Sequence, residues 1–106
     1  MIREQTKYFI DKAIYDECHH IITEKPVFNS DHEGYAVLLE EIEEAETELK
    51  HIKQDIQDTW TSIKSDKPPY KEIEQLKQRA KMLAAETIQI IAVTDKFFVR
   101  KGEQHE

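Results

Sequence analysis

The sequence predicts an all-α protein, in which a long antiparallel helical hairpin and a shorter N-terminal helix complete a helical bundle by oligomerisation. Three observations predict this fold. The 106 residues include only two glycines and three prolines. Charged residues make up 35% of the chain, and the apolar residues recur at three- and four-residue steps. Strands would need more β-branched runs and more turn residues. At this length we expect a single domain covering residues 1–106.

The first helix is predicted over residues 2–24. Its apolar side chains follow a helical period and are Tyr8, Phe9, Ala13, Ile14, Cys18, Ile21 and Ile22. The helix should end before Pro26, because proline disfavours helical geometry in the residue that precedes it. Cys18 is the only cysteine, so it cannot form an internal disulfide, and we expect it in the core.

The second helix is predicted over residues 31–64. Ser30 and Glu33 have the spacing of a capping box, which marks a helix start. The apolar stripe that follows has a period close to that of a coiled coil. It consists of Tyr35, Leu38, Ile42, Ala45, Leu49, Ile52, Ile56, Trp60 and Ile63.

The third helix is predicted over residues 69–99, after a break at residues 65–69 that ends in two prolines. Ser65 or Asp66 could cap it. Its stripe consists of Ile73, Leu76, Ala80, Leu83, Thr87, Ile90, Thr94 and Phe97, and a frayed end is expected from Gly102 onwards. The two long helices present more apolar surface than one short helix can cover, which predicts a homodimer or homotetramer.

Charge and hydropathy narrow the range of partners. The formal net charge is −7 and the pI is about 5.2, which argues against binding to nucleic acid or to anionic membranes, because both require a basic surface. No segment has the roughly eighteen consecutive apolar residues that a membrane span needs. Together with the single cysteine, these features predict a cytoplasmic protein that binds neither nucleic acid nor membrane.

Two pairs of oxygen-bearing side chains have the spacing of a cation site. Glu41 and Glu44 lie on one flank of the second predicted helix, and Glu86 and Gln89 repeat the same spacing on the third. An antiparallel hairpin turning near residue 67 would place the pairs opposite each other. The four side chains would suit Mg²⁺, with Mn²⁺ as an alternative. The competing interpretation is a solvated acidic helix face.

Helical geometry separates the candidate ligands from their neighbours. Glu41 falls roughly 60° from the centre of the apolar stripe at 100° per residue, whereas Glu40 lies well around the helix. Glu86 is the only ionisable side chain among residues 82–93. We therefore expect Glu41 and Glu86 to be partly buried, which requires a partner or a cation.

The acidic segments resemble a known family. Residues 40–44 read EEIEE, residues 86–89 read ETIQ, and residues 29–37 before them read NSDHEGYAV. The chain thereby resembles, over about residues 28–98, the MazG-like branch of the all-α nucleoside triphosphate pyrophosphohydrolases, including small phage and bacterial members. The family pattern is EExxE followed by ExxD, so Gln89 stands where aspartate is usual.

The resemblance implies Mg²⁺-dependent cleavage between the α and β phosphates of a nucleoside triphosphate, giving a nucleoside monophosphate and pyrophosphate. It implies that Glu41, Glu44 and Glu86 bind metal, with Gln89 as a neutral fourth ligand. Glu40 would be either a group that supports the metal ligands from behind or the catalytic base that orients the attacking water. Two further residues are assigned to the substrate, although each could equally be a surface residue. They are His32 and Lys96.

A second class of function stays open on the sequence alone. The long seam from Leu38 to Ile63 would also suit a non-catalytic helical-hairpin protein that assembles with itself or regulates a partner. Because Gln89 carries no charge, a nucleotide binder with a degenerate site is a variant of this alternative. Tyr35 lies on the core seam and is expected to pack there. The other aromatic side chains are expected in the core or at an interface, and they are Trp60, Phe97 and Phe98.

Overall fold

The computed structural model describes residues 1–99, which form three helices and no strand. These are α1 (Glu4–Glu24), α2 (Asp31–Lys64) and α3 (Tyr70–Lys96). α2 and α3 pack as a hairpin, and α1 packs on α3. Within residues 1–99, α1 and α2 do not pack on each other. α3 therefore forms the floor of a groove whose walls are α1 and α2, and the predicted all-α class is confirmed.

The start of α2 depends on side chains from both ends of the preceding loop. Ser30 Oγ accepts a hydrogen bond from the backbone N–H of Glu33 at 3.1 Å, as a capping residue should. The Glu33 carboxylate accepts from the backbone N–H of Asn29 at 3.0 Å and from Asn29 Nδ2 at 2.9 Å. It also accepts from Lys25 Nζ at 2.8 Å. Glu33 thus holds the α1–α2 loop against the first turn of α2.

The start of α3 differs from the prediction. The residue that precedes α3 is Pro69, and no side chain caps the helix, so the expected cap from Ser65 or Asp66 is wrong. Those residues end α2 instead: Asp66 has a positive φ of 57°, and its backbone N–H donates to the Ile63 carbonyl at 3.1 Å. The polar residues of the break are therefore used to terminate one helix and not to begin the next.

α3 is shorter than predicted at its C-terminal end. The helix ends at Lys96, three residues before the predicted end at Val99, because the chain tightens into 3₁₀-type bonds from Phe97 N–H to the Thr94 carbonyl and from Phe98 N–H to the Asp95 carbonyl. The frayed end expected from Gly102 lies outside the described residues.

The apolar stripe of α2 divides into two rows. The side that faces α3 is identified by Asp55, whose carboxylate contacts Gln75 and Arg79 of α3. The second row, which includes Tyr35 and Trp60, does not face α3 and is exposed. Tyr35 is 65% exposed and Trp60 is 57% exposed, so the expectation that Tyr35 packs in the core is wrong. Phe98 is also exposed, at 76%. A single chain therefore leaves much of its apolar surface uncovered.

The core of the single chain is small. Among residues 1–99, the buried apolar residues are Cys18, Ala92, Val93 and Val99. The expected core position of Cys18 is confirmed. The radius of gyration is 17.9 Å, compared with about 13 Å for a compact domain of this length. Among the described residues, no helix is both long enough and apolar enough to span a bilayer.

Candidate metal centre

Three carboxylates from two helices meet in the groove. Glu41 and Glu44 lie one turn apart on α2, and Glu86 comes from α3. Each offers one carboxylate oxygen, and these three oxygens lie within 4.8 Å of one another. Glu41 and Glu86 are half-buried, as expected, whereas Glu44 is exposed. The hairpin thus brings together the two acidic segments that the sequence analysis paired.

The proximity of the carboxylates perturbs their ionisation. Partial burial, followed by repulsion from Glu44 and a hydrogen bond with Glu86, raises the pKa of Glu41 to about 7. A hydrogen bond with Glu86 and the charge of Glu86 raise the pKa of Glu44 as well. The cluster therefore favours holding a proton when no cation is present.

A cavity of about 480 Å³ opens beside the cluster. Its polar lining includes the three carboxylates, Gln89 of α3, and Glu17 of α1. Gln89 is thus placed in the same cavity as the carboxylates, where its amide oxygen could join a ligand set. Glu17 was missed by the sequence analysis, although it lies four residues from both Ala13 and Ile21 of the first apolar stripe and so borders the packed side of α1.

A further acidic side chain, Glu48, extends the cluster along α2. Glu48, one turn after Glu44, lines a neighbouring cavity of about 270 Å³ together with Glu86. The Oε2 atoms of Glu48 and Glu86 are both buried and have no hydrogen-bond partner. Buried carboxylate oxygens without a donor are costly. A cation would satisfy them, and in this respect the residues present fit a hard divalent metal.

Glu40 lies outside these cavities. Its side chain is exposed, and its charge contributes to raising the pKa of Glu41, so it lies at the border of the cluster. His32 is also exposed and lines none of the cavities described here. The assigned roles of Glu40 and His32 therefore stay predictions.

Lys96 occupies an unexpected environment. It is only 7% exposed, and its Nζ lies 4.5 Å from the centre of the Phe28 ring. Within residues 1–99, no carboxylate comes within ion-pair distance of this ammonium. Burial, with a smaller effect from Lys25, lowers the pKa of Lys96, and the charge of Glu33 opposes that shift. A largely buried lysine whose ammonium has an aromatic ring and no carboxylate beside it among residues 1–99 is suited to an anionic ligand.

The cavity beside Lys96 adjoins the acidic one. It has a volume of about 310 Å³ and includes Lys25, Phe28 and Gln89 in its lining. Gln89 lines both cavities. On α1 the lining passes from Ile21 to Glu17, which are one helical turn apart. The groove therefore has a carboxylate compartment and a lysine compartment in sequence along the helices.

Gly34 explains part of the NSDHEGYAV segment. A methyl group on Gly34 would lie 2.5 Å from Phe97 Cζ and 2.9 Å from Phe28 Cδ2, closer than carbon atoms pack. The two rings, whose centres are 5.1 Å apart, can therefore rest on α2 only because residue 34 has no side chain. This contact holds Phe28 beside Lys96.

Comparisons of the chain with models of protein families, with curated proteins and with solved structures find no match.

Proposed function

We propose that this chain is a Mg²⁺-dependent nucleotide pyrophosphohydrolase, which cleaves a nucleoside triphosphate between its α and β phosphates. The observation that carries this proposal is the arrangement of Glu41, Glu44 and Glu86, whose carboxylate oxygens lie within 4.8 Å of one another. Carboxylates this close repel each other unless a proton or a cation lies among them. Mg²⁺ suits the site, with Mn²⁺ as an alternative, because it binds carboxylate and phosphate oxygens together.

The ligand set that we propose is three carboxylates and one amide. Gln89 lines the same cavity and offers a neutral oxygen, so this ligand set would repel an incoming phosphate chain less than four carboxylates would. When bound, the cation would withdraw charge from the phosphate oxygens and make water a better nucleophile.

The lysine compartment supports a nucleotide as the substrate. Lys96 is buried, and it lines the same cavity as Lys25. Lys25 is paired with Glu33 of the same cavity at 2.8 Å, which leaves the Lys96 ammonium beside the proposed cation site to attract a polyphosphate. Phe28 gives this compartment an aromatic wall. We assign His32 to the outer edge of the site, where it is exposed.

The proposed reaction is a hydrolysis at the α-phosphorus. The oxygen of a water molecule forms a bond to that phosphorus, the bond from phosphorus to the bridging oxygen breaks, and pyrophosphate leaves with the bonding electrons. The proton released by the water passes to a carboxylate. We assign this role to Glu40, which is exposed beside Glu41 at the border of the cluster.

The direct test is to measure pyrophosphate release from a panel of ribo- and deoxyribonucleoside triphosphates in the presence of Mg²⁺. We expect release with at least one nucleotide, and loss of release in Glu41→Ala and Glu86→Ala. Glu43→Ala is the matched control, because Glu43 is exposed on α2 and lies outside the cluster. No release with any nucleotide, together with no Mg²⁺-dependent rise in Tm, would refute the proposal.

A nucleotide binder without catalysis is the second candidate. The observation that favours it is the neutral amide of Gln89 in the carboxylate compartment, since a ligand without charge holds Mg²⁺ less tightly than a carboxylate does. Binding of a nonhydrolysable nucleotide that depends on Mg²⁺, combined with no pyrophosphate release, would select this candidate. A purely structural hairpin protein would instead keep its Tm unchanged on addition of Mg²⁺, in the wild type and in Glu41→Ala alike.

A further inference from the structure

An exposed apolar row runs along α2 with strict heptad spacing. Its five members lie seven residues apart, are between 39% and 65% exposed, and are Tyr35, Ile42, Leu49, Ile56 and Ile63. At the standard helical rise the row is about 42 Å long. A seven-residue repeat of apolar side chains is the pattern of a helix that packs along another helix, yet neither α1 nor α3 covers this one.

The row lies on a different flank of α2 from Glu44, which lines the carboxylate groove. Asp55 marks the side of α2 that faces α3. From that direction, helical periodicity turns Ile42 and Leu49 one way around the axis and Glu44 the other way. Glu44 lines the groove walled by α1. A partner on the apolar row would therefore leave the groove open.

When a second copy of α2 is placed antiparallel on the row, the residues that border the row on one copy are complementary to those on the other. Four residues, also seven apart, border the row on its outer side, and they are Leu39, Glu46, Lys53 and Trp60. Antiparallel pairing about Leu49 places Ile42 opposite Ile56 and Tyr35 opposite Ile63. The same pairing places Glu46 beside Lys53 and Leu39 beside Trp60. Every apolar residue then meets an apolar residue, and the acidic flank meets the basic flank.

We propose that a second copy of this chain binds antiparallel to the exposed row of α2, with Leu49 at the two-fold axis. In an isologous contact both chains use the same surface. Glu46 of each chain then lies beside Lys53 of the other, so opposite charges meet on both sides of the axis. Two hairpins joined in this way form a four-helix core, in which each chain covers the apolar residues that the other exposes. The two carboxylate grooves then face outward, away from the interface.

Cysteine cross-linking tests the orientation. Leu49→Cys should form a covalent dimer with itself under mild oxidation, because the residue lies at the axis. Ile42→Cys and Ile56→Cys should each stay largely uncross-linked alone and form a dimer when the two are mixed. The wild type is the control for Cys18, which is buried, and Gln78→Cys is the control for an exposed thiol away from the row.

Sedimentation equilibrium of the full chain tests the interface itself. We expect a dimer for the wild type and a monomer for Ile56→Glu, with the helical circular dichroism signal retained. Self-cross-linking of Ile42→Cys would overturn the antiparallel pairing. A wild-type monomer at micromolar concentration, or a dimer that Ile56→Glu does not disrupt, would overturn the interface. Because both measurements are made without metal or nucleotide, they are independent of the proposed enzymatic activity.

Discussion

Glu41 and Glu86 belong to different helices, and their carboxylate oxygens approach within 4.8 Å of each other beside an open cavity. Their contact is a consequence of the α2–α3 hairpin, since neither helix alone could bring the two groups together. Burial and mutual repulsion make the pair unfavourable when both residues are ionised. The energetic cost of this arrangement in the absence of a cation is what makes it testable.

The metal-free protein should lose stability as the pH rises. The pKa of Glu41 is raised from its ordinary 4.5 to about 7, so between these values the folded state binds more protons than the unfolded state. Stability from this group is therefore greatest below pH 4.5 and falls as the pH rises through about 7. Urea unfolding in EDTA across this range measures the effect.

Glu41→Gln should flatten that dependence and, at pH values above 7, raise the Tm by about 2–4 °C, which corresponds to ~0.5 kcal/mol in a domain of this size. Glu43→Gln, on the exposed side of α2, should leave both the slope and the Tm as in the wild type. A wild-type slope that Glu41→Gln does not change would contradict the assignment of this titration to the cluster.

Gln89→Glu should strengthen the binding of Mg²⁺. The substitution adds a fourth carboxylate to a cavity already lined by Glu41, Glu44 and Glu86. We expect the dissociation constant of Mg²⁺, measured by calorimetry, to fall about tenfold, equivalent to roughly 1.4 kcal/mol. Without metal the same variant should have a lower Tm, because one more like charge is added.

Gln57→Glu is the matched control for this experiment, because Gln57 is exposed on α2 and lines none of the cavities described above. It should change neither the affinity nor the Tm appreciably. An affinity for Mg²⁺ that stays within about twofold of the wild type in Gln89→Glu, less than ~0.5 kcal/mol, would argue that Gln89 lies outside the ligand set.

Gly34→Ala should destabilise the protein although alanine favours helices. The added methyl group would lie 2.5 Å from Phe97 Cζ and 2.8 Å from Phe97 Cε1, and moving the ring costs about 1–3 kcal/mol. Higher helix propensity returns up to about 1 kcal/mol. We expect a net loss of roughly 1 kcal/mol in urea unfolding.

The variant Gly34→Ala/Phe97→Leu separates the clash from other effects of the methyl group. Leucine at position 97 lacks the ring atoms that Gly34→Ala would meet, so adding Gly34→Ala in the Phe97→Leu background should cost less than in the wild type. Equal costs in the two backgrounds would show that the contact with Phe97 is not the cause.

The local features of this fold could be predicted from sequence because local chemistry determines them. Ser30 caps α2 at the predicted position, and the prolines confine the break between the long helices. Once the break is fixed, an antiparallel hairpin brings the segment with Glu41 and Glu44 near the segment with Glu86 and Gln89, so the meeting of the two acidic segments follows from the register. The position of the cluster in a groove could not be predicted, because the spacing of residues within one helix does not show which other helix packs beside it.

Three features escaped prediction for that reason. Glu17 joins the carboxylate cavity because α1 packs on α3 and not on α2. Tyr35 belongs to an apolar stripe, and periodicity cannot tell whether its own chain or another covers it. Lys96 is buried with its ammonium over the Phe28 ring, and the amphipathic nature of lysine permits both a surface and a buried position.

The buried polar contact in the middle of the hairpin provides the last prediction. Asp55 is only 4% exposed, its Oδ2 lies 2.9 Å from Arg79 Nε, and its Oδ1 accepts a hydrogen bond from Gln75 at 3.1 Å. Asp55→Ala should cost about 2–4 kcal/mol, because it leaves the buried Nε of Arg79 without the carboxylate beside it. Asp58→Ala, whose carboxylate is exposed, should cost less than about 0.5 kcal/mol.

The double variant Asp55→Leu/Arg79→Leu tests whether the ion pair mainly stabilises the hairpin or mainly fixes the alignment of α2 on α3. A buried ion pair replaced by apolar residues is often neutral or stabilising, so the double variant should recover most of the stability that Asp55→Ala loses. Leucines, however, accept more than one alignment of α2 on α3, whereas the ion pair accepts one. We therefore expect the double variant to bind Mg²⁺ several-fold more weakly, because Glu41 and Glu86 meet only in the correct register. Full stability of the double variant with wild-type Mg²⁺ affinity would show that the ion pair does not set the register. A loss below about 1 kcal/mol in Asp55→Ala would show that the ion pair contributes little to the stability of the hairpin.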